Sequence, residues 1–548
     1  GCGTFMLGYE SIEGVPVTFN KWLLTDKLRG AWKYNGTLIT DWDNVGRSVW
    51  EQHVKPDYVH AAADAVKAGN DLVMTTPQFY EGAIEAVKTG LLDESLIDDA
   101  VSRILALKFR LGLFEDPRLP DAERIKAVIG SAEHQQTNLE LARESVALLR
   151  NDGTLPFAAS KAKRIAVVGP LADDAQNQLG DWTGNSGQVS WMPDGQPRNM
   201  ITTVFDGLKR LAGDDCEVIY SRGANIVDLV TDPAGELYPD GQPRPKIGVS
   251  AAIDQEMLDE AVANARQADL IVAVVGDTVQ LTGETCSTAT LELLGGQNAL
   301  LDALATVAQE TGKPMVTVLI SSKPQILPAS IVGEMGVFAK RVSDPETGTG
   351  SILWAANPGM QGGRAVAEII FGLTNPSGRL PVTFPRHAGQ LPVYYNQIRG
   401  QHGDRYADLT QDPAFAFGEG LSYTTFEYGE PTVAGGASNA DGTFAKADTV
   451  RAEITLTNTG KRAGVEVVQA YIGDVVTSYS WTDRELKAFQ RVELEPGETK
   501  IVAFDIPVAD CTIVDPDANR IVEPGEFELL VGHSSRREDL KRAVFTVA

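Results

Sequence analysis

The runs Ile165-Ala166-Val167-Val168, Glu217-Val218-Ile219-Tyr220, Leu270-Ile271-Val272-Ala273-Val274-Val275-Gly276 and Met315-Val316-Thr317-Val318-Leu319-Ile320 leave few folds open to this chain. A strand with one wet face alternates apolar and polar side chains. A strand that is apolar at nearly every position has both faces covered, as in a parallel sheet packed between two layers of helices. The stretches between these runs have helical spacing, so residues 161–390 read as a doubly wound α/β sandwich. Gly169 and Gly276 follow two of the strands, but neither stands in a G-x-G-x-x-G or Walker pattern, and no nucleotide is expected.

Towards the carboxyl end the period changes to two. Val450 to Thr459 alternates, as do Val465 to Ile472, Lys500 to Ile506 and Glu526 to Val531, with turns at Glu495-Pro496-Gly497 and Glu523-Pro524-Gly525. Residues 426–548 are expected to form a β-sandwich of immunoglobulin or fibronectin type III kind. Residues 391–425 connect the two domains. Within them Tyr394 to Pro413, with Arg405, Tyr406 and Asp408, is long and polar. It either borders the entrance to a site, or reaches a neighbouring subunit of a homodimer, or is a solvated connector.

The first 117 residues alternate strand and helix: a strand from Phe5 to Gly8, a helix from Leu23 to Leu28 and a strand from Gly36 to Thr40. A helix from His60 to Ala68, closed by Gly69, then leads into a strand from Leu72 to Thr75. A last helix is capped by Asp93 and ends at Gly112. This is the grammar of a TIM-like (β/α)8 barrel, but only three strands are present, and a full barrel takes about 250 residues. Residues 118–160 read as a linker containing one helix, Gln136 to Leu149.

Composition removes several functions. Lys plus Arg number 48 against 74 Asp plus Glu, a net charge of −26 with no compensating basic run, so no nucleic-acid partner is expected. No apolar run approaches the ~20 residues of a bilayer span, so no membrane partner is expected either. The cysteines, Cys2, Cys216, Cys286 and Cys511, are scattered, and the six histidines are unclustered. They make neither a disulfide framework nor a zinc site, and no metal or cofactor is called for. The opening Gly1-Cys2-Gly3-Thr4 runs straight into Phe5-Met6-Leu7 and reads as an internal start rather than a signal peptide.

Two acids stand where barrel and doubly wound folds put chemistry, at the carboxyl ends of strands. Asp41 ends the strand Thr37-Leu38-Ile39-Thr40 and is followed by Trp42, whose flat face could stack on a sugar ring. The alternative is that Asp41 caps the next helix and Trp42 fills a core. Glu284 lies in the polar loop after Gly276, with Asp277 nearer the strand and better suited to holding a turn. Retaining glycosidases use two carboxyls about 5 to 5.5 Å apart, one attacking the anomeric carbon and one protonating the leaving oxygen.

Several ordered motifs resemble the β-glucosidase type of glycoside hydrolase family 3. They are Ser11-Ile12-Glu13-Gly14-Val15-Pro16, Leu24-Thr25-Asp26-Lys27-Leu28-Arg29, Ile39-Thr40-Asp41-Trp42, Ala68-Gly69-Asn70-Asp71-Leu72 and Arg143-Glu144-Ser145-Val146. Asn375-Pro376-Ser377-Gly378-Arg379-Leu380-Pro381, Phe417-Gly418-Glu419-Gly420-Leu421-Ser422-Tyr423 and Pro496-Gly497-Glu498-Thr499 continue the likeness along the chain. The resemblance implies a retaining exo-acting β-glycosidase that takes a β-glucoside or β-linked oligosaccharide. Asp41 is its ionised nucleophile, Glu284 its protonated acid/base from the second domain, Tyr9 a donor near the nucleophile and Trp42 a wall of the −1 sugar subsite. The chain itself does not fix a location, and a periplasmic or secreted one is expected in preference to the cytoplasm.

The sequence departs from the family at three places. Many relatives carry an Arg near the position of Thr288, and a Pro where Leu294 stands. The first five barrel strands, which supply further sugar-gripping residues, are not in this chain. The remaining strands are therefore expected elsewhere in a longer enzyme or on a separate polypeptide. A catalytically silent carbohydrate-binding or scaffold protein, and a β-xylosidase or natural-product glycosidase, are the competing functions.

Overall fold

The computed structural model describes residues 2–183, 186, 192, 194–238, 241–398, 400, 405–434 and 436–548. The chain divides into two units, residues 1–129 with 239–241, and residues 130–238 with 242–548.

In the first unit β1 (Thr4–Leu7) pairs in parallel with β2 (Thr37–Thr40), joined by α1 (Trp22–Ala31). The expected helix is there, but it is wound as a π-helix, a choice of hydrogen-bond register that apolar spacing does not encode. The helices α2 (Asn44–Trp50), α3 (Tyr58–Ala68), α4 (Gln78–Lys88) and α5 (Glu94–Arg110) follow. Asp57 and Asp93 cap α3 and α5 by accepting main-chain N–H groups, and Gly69 ends α3 at φ 113°. The alanines Ala61, Ala62, Ala63 and Ala65 are fully buried, which lets α3 lie close to its neighbours.

The expected third strand, Leu72 to Thr75, is corrected to a single parallel bridge between Leu72 and Ile39. Beyond it the Met74 N–H turns to the Thr40 hydroxyl, 2.8 Å away, instead of continuing the ladder. Asp71 anchors this junction: its buried carboxylate takes Arg29, Arg103 and the Leu38 N–H at 2.6, 2.7 and 2.8 Å.

The second unit opens with α6 (Ala132–Ser145) and β3 (Ala147–Arg150). The expected helix from Gln136 to Leu149 is thus broken at Val146. Its last apolar residues form an edge strand antiparallel to a strand two hundred residues away. The sheet continues with β4 (Arg164–Val168), β5 (Glu217–Ser221), β6 and β7 as a separate hairpin (Val227–Val230 and Ile247–Ser250), β8 (Leu270–Gly276), β9 (Met315–Ile320) and β10 (Ser351–Ala355). Spatial order is β3-β10-β9-β8-β4-β5, parallel except for β3.

The apolar runs explain this sheet. Ile271, Ala273 and Val275 face one core with Leu300, Leu304 and Ala261, while Leu270, Val272 and Val274 face the other with Val204, Leu208 and Val366. Arg150 is fully buried at the end of β3 and donates to the carbonyls of Ile331, Thr347, Thr349 and Gly350.

The carboxyl-terminal residues form two antiparallel sheets. One centres on β13 (Thr449–Asn458), flanked by β11 (Phe426–Tyr428), β12 (Thr432–Ala434) and β16 (Thr499–Pro507). The other runs β15-β14-β17-β18 (Glu485–Leu494, Gly464–Asp474, Gly525–Gly532 and Leu540–Val547). Alternate side chains such as Val450, Ala452, Ile454 and Leu456 point into one shared core. The strands β15 and β18 join those expected from alternation.

Glu419, buried between sandwich and α/β domain, accepts from Arg341 at 2.7 Å and Arg536 at 2.8 Å, and Arg341 also grips Asp539 at 2.6 Å. Part of the long polar segment, residues 399 and 401–404, lies outside the described residues. In the rest, Tyr395 stacks on Phe417 and takes the Leu486 N–H at 3.0 Å, which ties it to the sandwich.

Candidate active site

In the first unit the carboxyl ends of β1 and β2 meet a turn in which neighbouring acids do different work. Asp43 sits in the left-handed region at φ 51°, and its carboxylate is occupied: Oδ2 takes the Trp50 indole N–H at 2.9 Å and Oδ1 the Thr76 hydroxyl at 2.9 Å. Gly46 gives it room, since a Cβ there would fall 2.0 Å from Asp43 Oδ1. Asn44 ties the turn to β1 by donating to the Gly8 carbonyl at 2.9 Å. The residue flanking the helix is thus Asp43.

Asp41 is half-buried, and its Oδ1 takes the Trp42 N–H at 2.5 Å. No ion pair among the described residues engages it. The Tyr9 hydroxyl donates to the Trp42 carbonyl at 2.8 Å, one residue along from Asp41, and the Arg47 guanidinium lies over the Tyr9 ring at 4.6 Å. Trp42 is 39% exposed, an indole left open rather than packed into a core. Asp43, Asn44 and Arg47 escaped the sequence reading; the signal was the second acid of Asp41-Trp42-Asp43-Asn44.

In the second unit Glu284 is exposed in the loop after β8. The loop is pinned along its length. Val279 N–H donates to Asn177 Oδ1 at 2.9 Å, Gly283 turns at φ 86°, and Thr285 is in the left-handed region at φ 61°. Asp277 is a buried anchor, but among the described residues its carboxylate meets side chains of the turn after β9 rather than the main-chain amides of its own turn. Gln325 donates to its Oδ1 at 2.6 Å and the Lys323 ammonium lies 3.2 Å from Oδ2. Burial pushes its carboxyl up to about 6, against the pull of Lys323 and Gln325. Burial also raises the Cys286 thiol, helped by the carboxylates of Asp181 and Glu284.

A cavity of about 630 Å³ opens beside this loop, between Thr285 to Thr290 and the β6–β7 hairpin. Tyr238, Arg244, Leu281 and Leu294 line it, with Arg244 stacked on the Tyr238 ring at 4.3 Å. Neither the hairpin nor Arg244 was singled out from the sequence, because a wall built from a distant segment leaves no local motif.

Three family patterns match the chain in order. Residues 1–107 match the glycosyl hydrolase family 3 N terminal domain, residues 146–423 the glycosyl hydrolase family 3 C-terminal domain, and residues 466–535 the fibronectin type III-like domain. The chain belongs to glycoside hydrolase family 3. As a family 3 glycoside hydrolase it is 33% identical to the periplasmic beta-glucosidase of Salmonella typhimurium over 98% of this chain and 67% of that protein. It is 34% identical to a beta-xylosidase of Formosa agariphila over 100% of this chain and 69% of that protein.

Among solved structures, a beta-glucosidase involved in saponin metabolism from intestinal bacteria is 90% identical, with a TM-score of 0.97, covering 100% of this chain and 72% of that one. The beta-glucosidase of Listeria innocua in complex with isofagomine is 29% identical with a TM-score of 0.81, covering 100% and 68%. The family 3 chain thus spans about two thirds of the length of these relatives. Among the described residues, no helix is long and apolar enough to cross a membrane.

Proposed function

We propose that this glycoside hydrolase is a retaining exo-β-glucosidase. It removes terminal non-reducing β-D-glucosyl residues by double displacement, with Asp41 as nucleophile and Glu284 as acid/base. Asp41 attacks the anomeric carbon while Glu284 gives its proton to the leaving oxygen. Glu284, now ionised, then takes a proton from the water that cleaves the glycosyl ester. The observation that carries the assignment of Asp41 is the division of labour at the end of β2. Asp43 is held by Trp50 and Thr76, whereas Asp41 keeps its carboxylate out of any described ion pair, beside an exposed indole. The exposed Trp42 stacks on the sugar, and Tyr9 holds the Trp42 main chain in place.

The relative at 90% identity acts in saponin metabolism, and we take a saponin glucoside as the substrate class. The cavity beside the Glu284 loop, at about 630 Å³, is within the size range of small-molecule sites. The periplasmic relative supports a periplasmic or secreted location. Phe5 and Met6 on β1 are exposed apolar side chains, and further barrel strands, on the same or a separate polypeptide, would cover them.

Inactivation with a 2-deoxy-2-fluoro-β-glucoside followed by peptide mass analysis tests the reading. Label on Asp41 supports it, and label on any other carboxylate overturns it. The beta-xylosidase relative makes xylose the competing sugar. Comparison of aryl β-glucoside with aryl β-xyloside turnover separates the two.

A further inference from the structure

The loop that carries Glu284 is held by a cation that belongs to a different strand. Lys323 lies in the turn after β9, and its ammonium donates to the Leu281 carbonyl at 2.8 Å and to the Thr288 hydroxyl at 2.8 Å. The same ammonium stands 3.2 Å from Asp277 Oδ2. Leu281 precedes Glu284 by three residues and Thr288 follows it by four, so one charged group ties both feet of the turn to the end of the sheet.

The arrangement is braced on either side. Thr288, having accepted from Lys323, donates its own proton to the Thr290 carbonyl at 2.7 Å. Asp277 is fixed by Gln325 at 2.6 Å, and the Lys323 carbonyl takes the Ser321 hydroxyl at 2.7 Å and the Gln325 N–H at 2.9 Å. The Lys323 side chain is 20% exposed, whereas Glu284 is exposed.

We propose that Lys323 is a positioning residue for the acid/base, holding the turn from Leu281 to Thr288 so that the Glu284 carboxyl stays where the leaving oxygen will be. The proposal rests on the reading of Glu284 given above. Removing the ammonium frees both feet of the turn and leaves Asp277 buried without its cation. The Glu284 carboxyl then samples many positions, and proton delivery to the leaving group suffers while attack at the anomeric carbon does not.

Substrates that differ in their need for a proton test this. In the full enzyme, Lys323→Met, Lys323→Arg and Thr288→Val are compared with Glu284→Ala on 2,4-dinitrophenyl β-glucoside, whose leaving group departs unassisted, and on an alkyl β-glucoside, whose leaving group does not. Lys323→Met is expected to lose about 10-fold or more in kcat/KM on the alkyl glucoside, within the range of general acid catalysis, and far less on the dinitrophenyl one. Lys323→Arg is expected to restore most of the alkyl activity.

Equal losses on both substrates, or no loss on either, would overturn the proposal. Thr288→Val releases one foot while leaving the Asp277 pair intact, so it gives the same readout should Lys323→Met fold poorly. Glu284→Ala separates the two claims. If it shows the selective loss and rescue by azide while the Lys323 and Thr288 variants do not, the clamp alone is wrong. If it shows neither, the acid/base lies elsewhere.

Discussion

Gly283 faces Asp181 so closely that a Cβ built on the glycine would lie 1.8 Å from Asp181 Oδ2. Both Asp181 carboxylate oxygens are buried without a hydrogen-bond partner among the described residues, so the acid and the loop next to Glu284 are pressed together. Gly283 also holds φ 86°, a conformation that side chains with a Cβ resist. Gly283→Ala is therefore expected to displace the Glu284 turn. Turnover of unactivated glucosides should fall by about 10-fold or more, as for loss of general acid help, and the thermal midpoint should fall with it because the new Cβ meets a buried carboxylate at a left-handed φ. Steady-state kinetics beside a melting curve check both halves.

Asp41 and Asp43 are two residues apart and should respond to amide substitution in opposite ways. Asp43→Asn weakens the bonds to Trp50 and Thr76 and is expected to cost about 1 to 3 kcal/mol of stability, the usual penalty for leaving buried donors poorly paired. Asp41→Asn removes no such bond and should leave stability within about 0.5 kcal/mol while abolishing turnover. Denaturant titration and activity, measured on the same preparations, distinguish the two positions.

Glu419 is buried between two arginines, and its removal leaves Arg341 only Asp539 and Arg536 only Asp412 as counter-charges. Glu419→Ala is expected to destabilise by about 1 to 3 kcal/mol, the scale for leaving buried donors short of an acceptor. Urea unfolding followed by tryptophan fluorescence measures it.

The Asp277 carboxyl stands at about 6 because it is buried, although Lys323 and Gln325 pull it down. In the unfolded chain an aspartate titrates near 4, at about 3.9. Between these values the folded state holds a proton that the unfolded state has lost, so this group's contribution to stability falls as pH rises from about 4 to 6 and is flat below that window. Asp277→Asn lacks the proton to lose. Its stability relative to the parent enzyme should therefore rise across that window, and thermal melts at half-unit pH steps read the difference.

How much of this was legible in the chain depended on whether a segment's neighbours were local. The strands Ile271 to Val275 and Met315 to Ile320 were plain because burial on both faces demands apolar residues at every step, and the helix ending at Gly69 was plain because its stop signal is local. The run Val146-Ala147-Leu148-Leu149 was not. Four apolar residues fit a helix or a strand equally, and pairing with residues 352–354 decides the matter.

Asp41 could be picked out by its place after a strand, and the family likeness raised Glu284. Lys323 could not be picked out, since what singles it out is the reach of its ammonium to Leu281 and Thr288. Its ammonium stands 2.8 Å from the Thr288 hydroxyl, brought there by the turn after β9.

The burial of Arg150 redraws where the α/β domain begins. Its guanidinium fills a ring of carbonyls from residues 331, 347, 349 and 350, all far downstream. A truncation that starts after this arginine would open the sheet's outer edge and leave those oxygens facing an empty hole. Any piece meant to stand alone, or to be grafted onto another protein, has to carry the residues from Val146 onward as part of its own body.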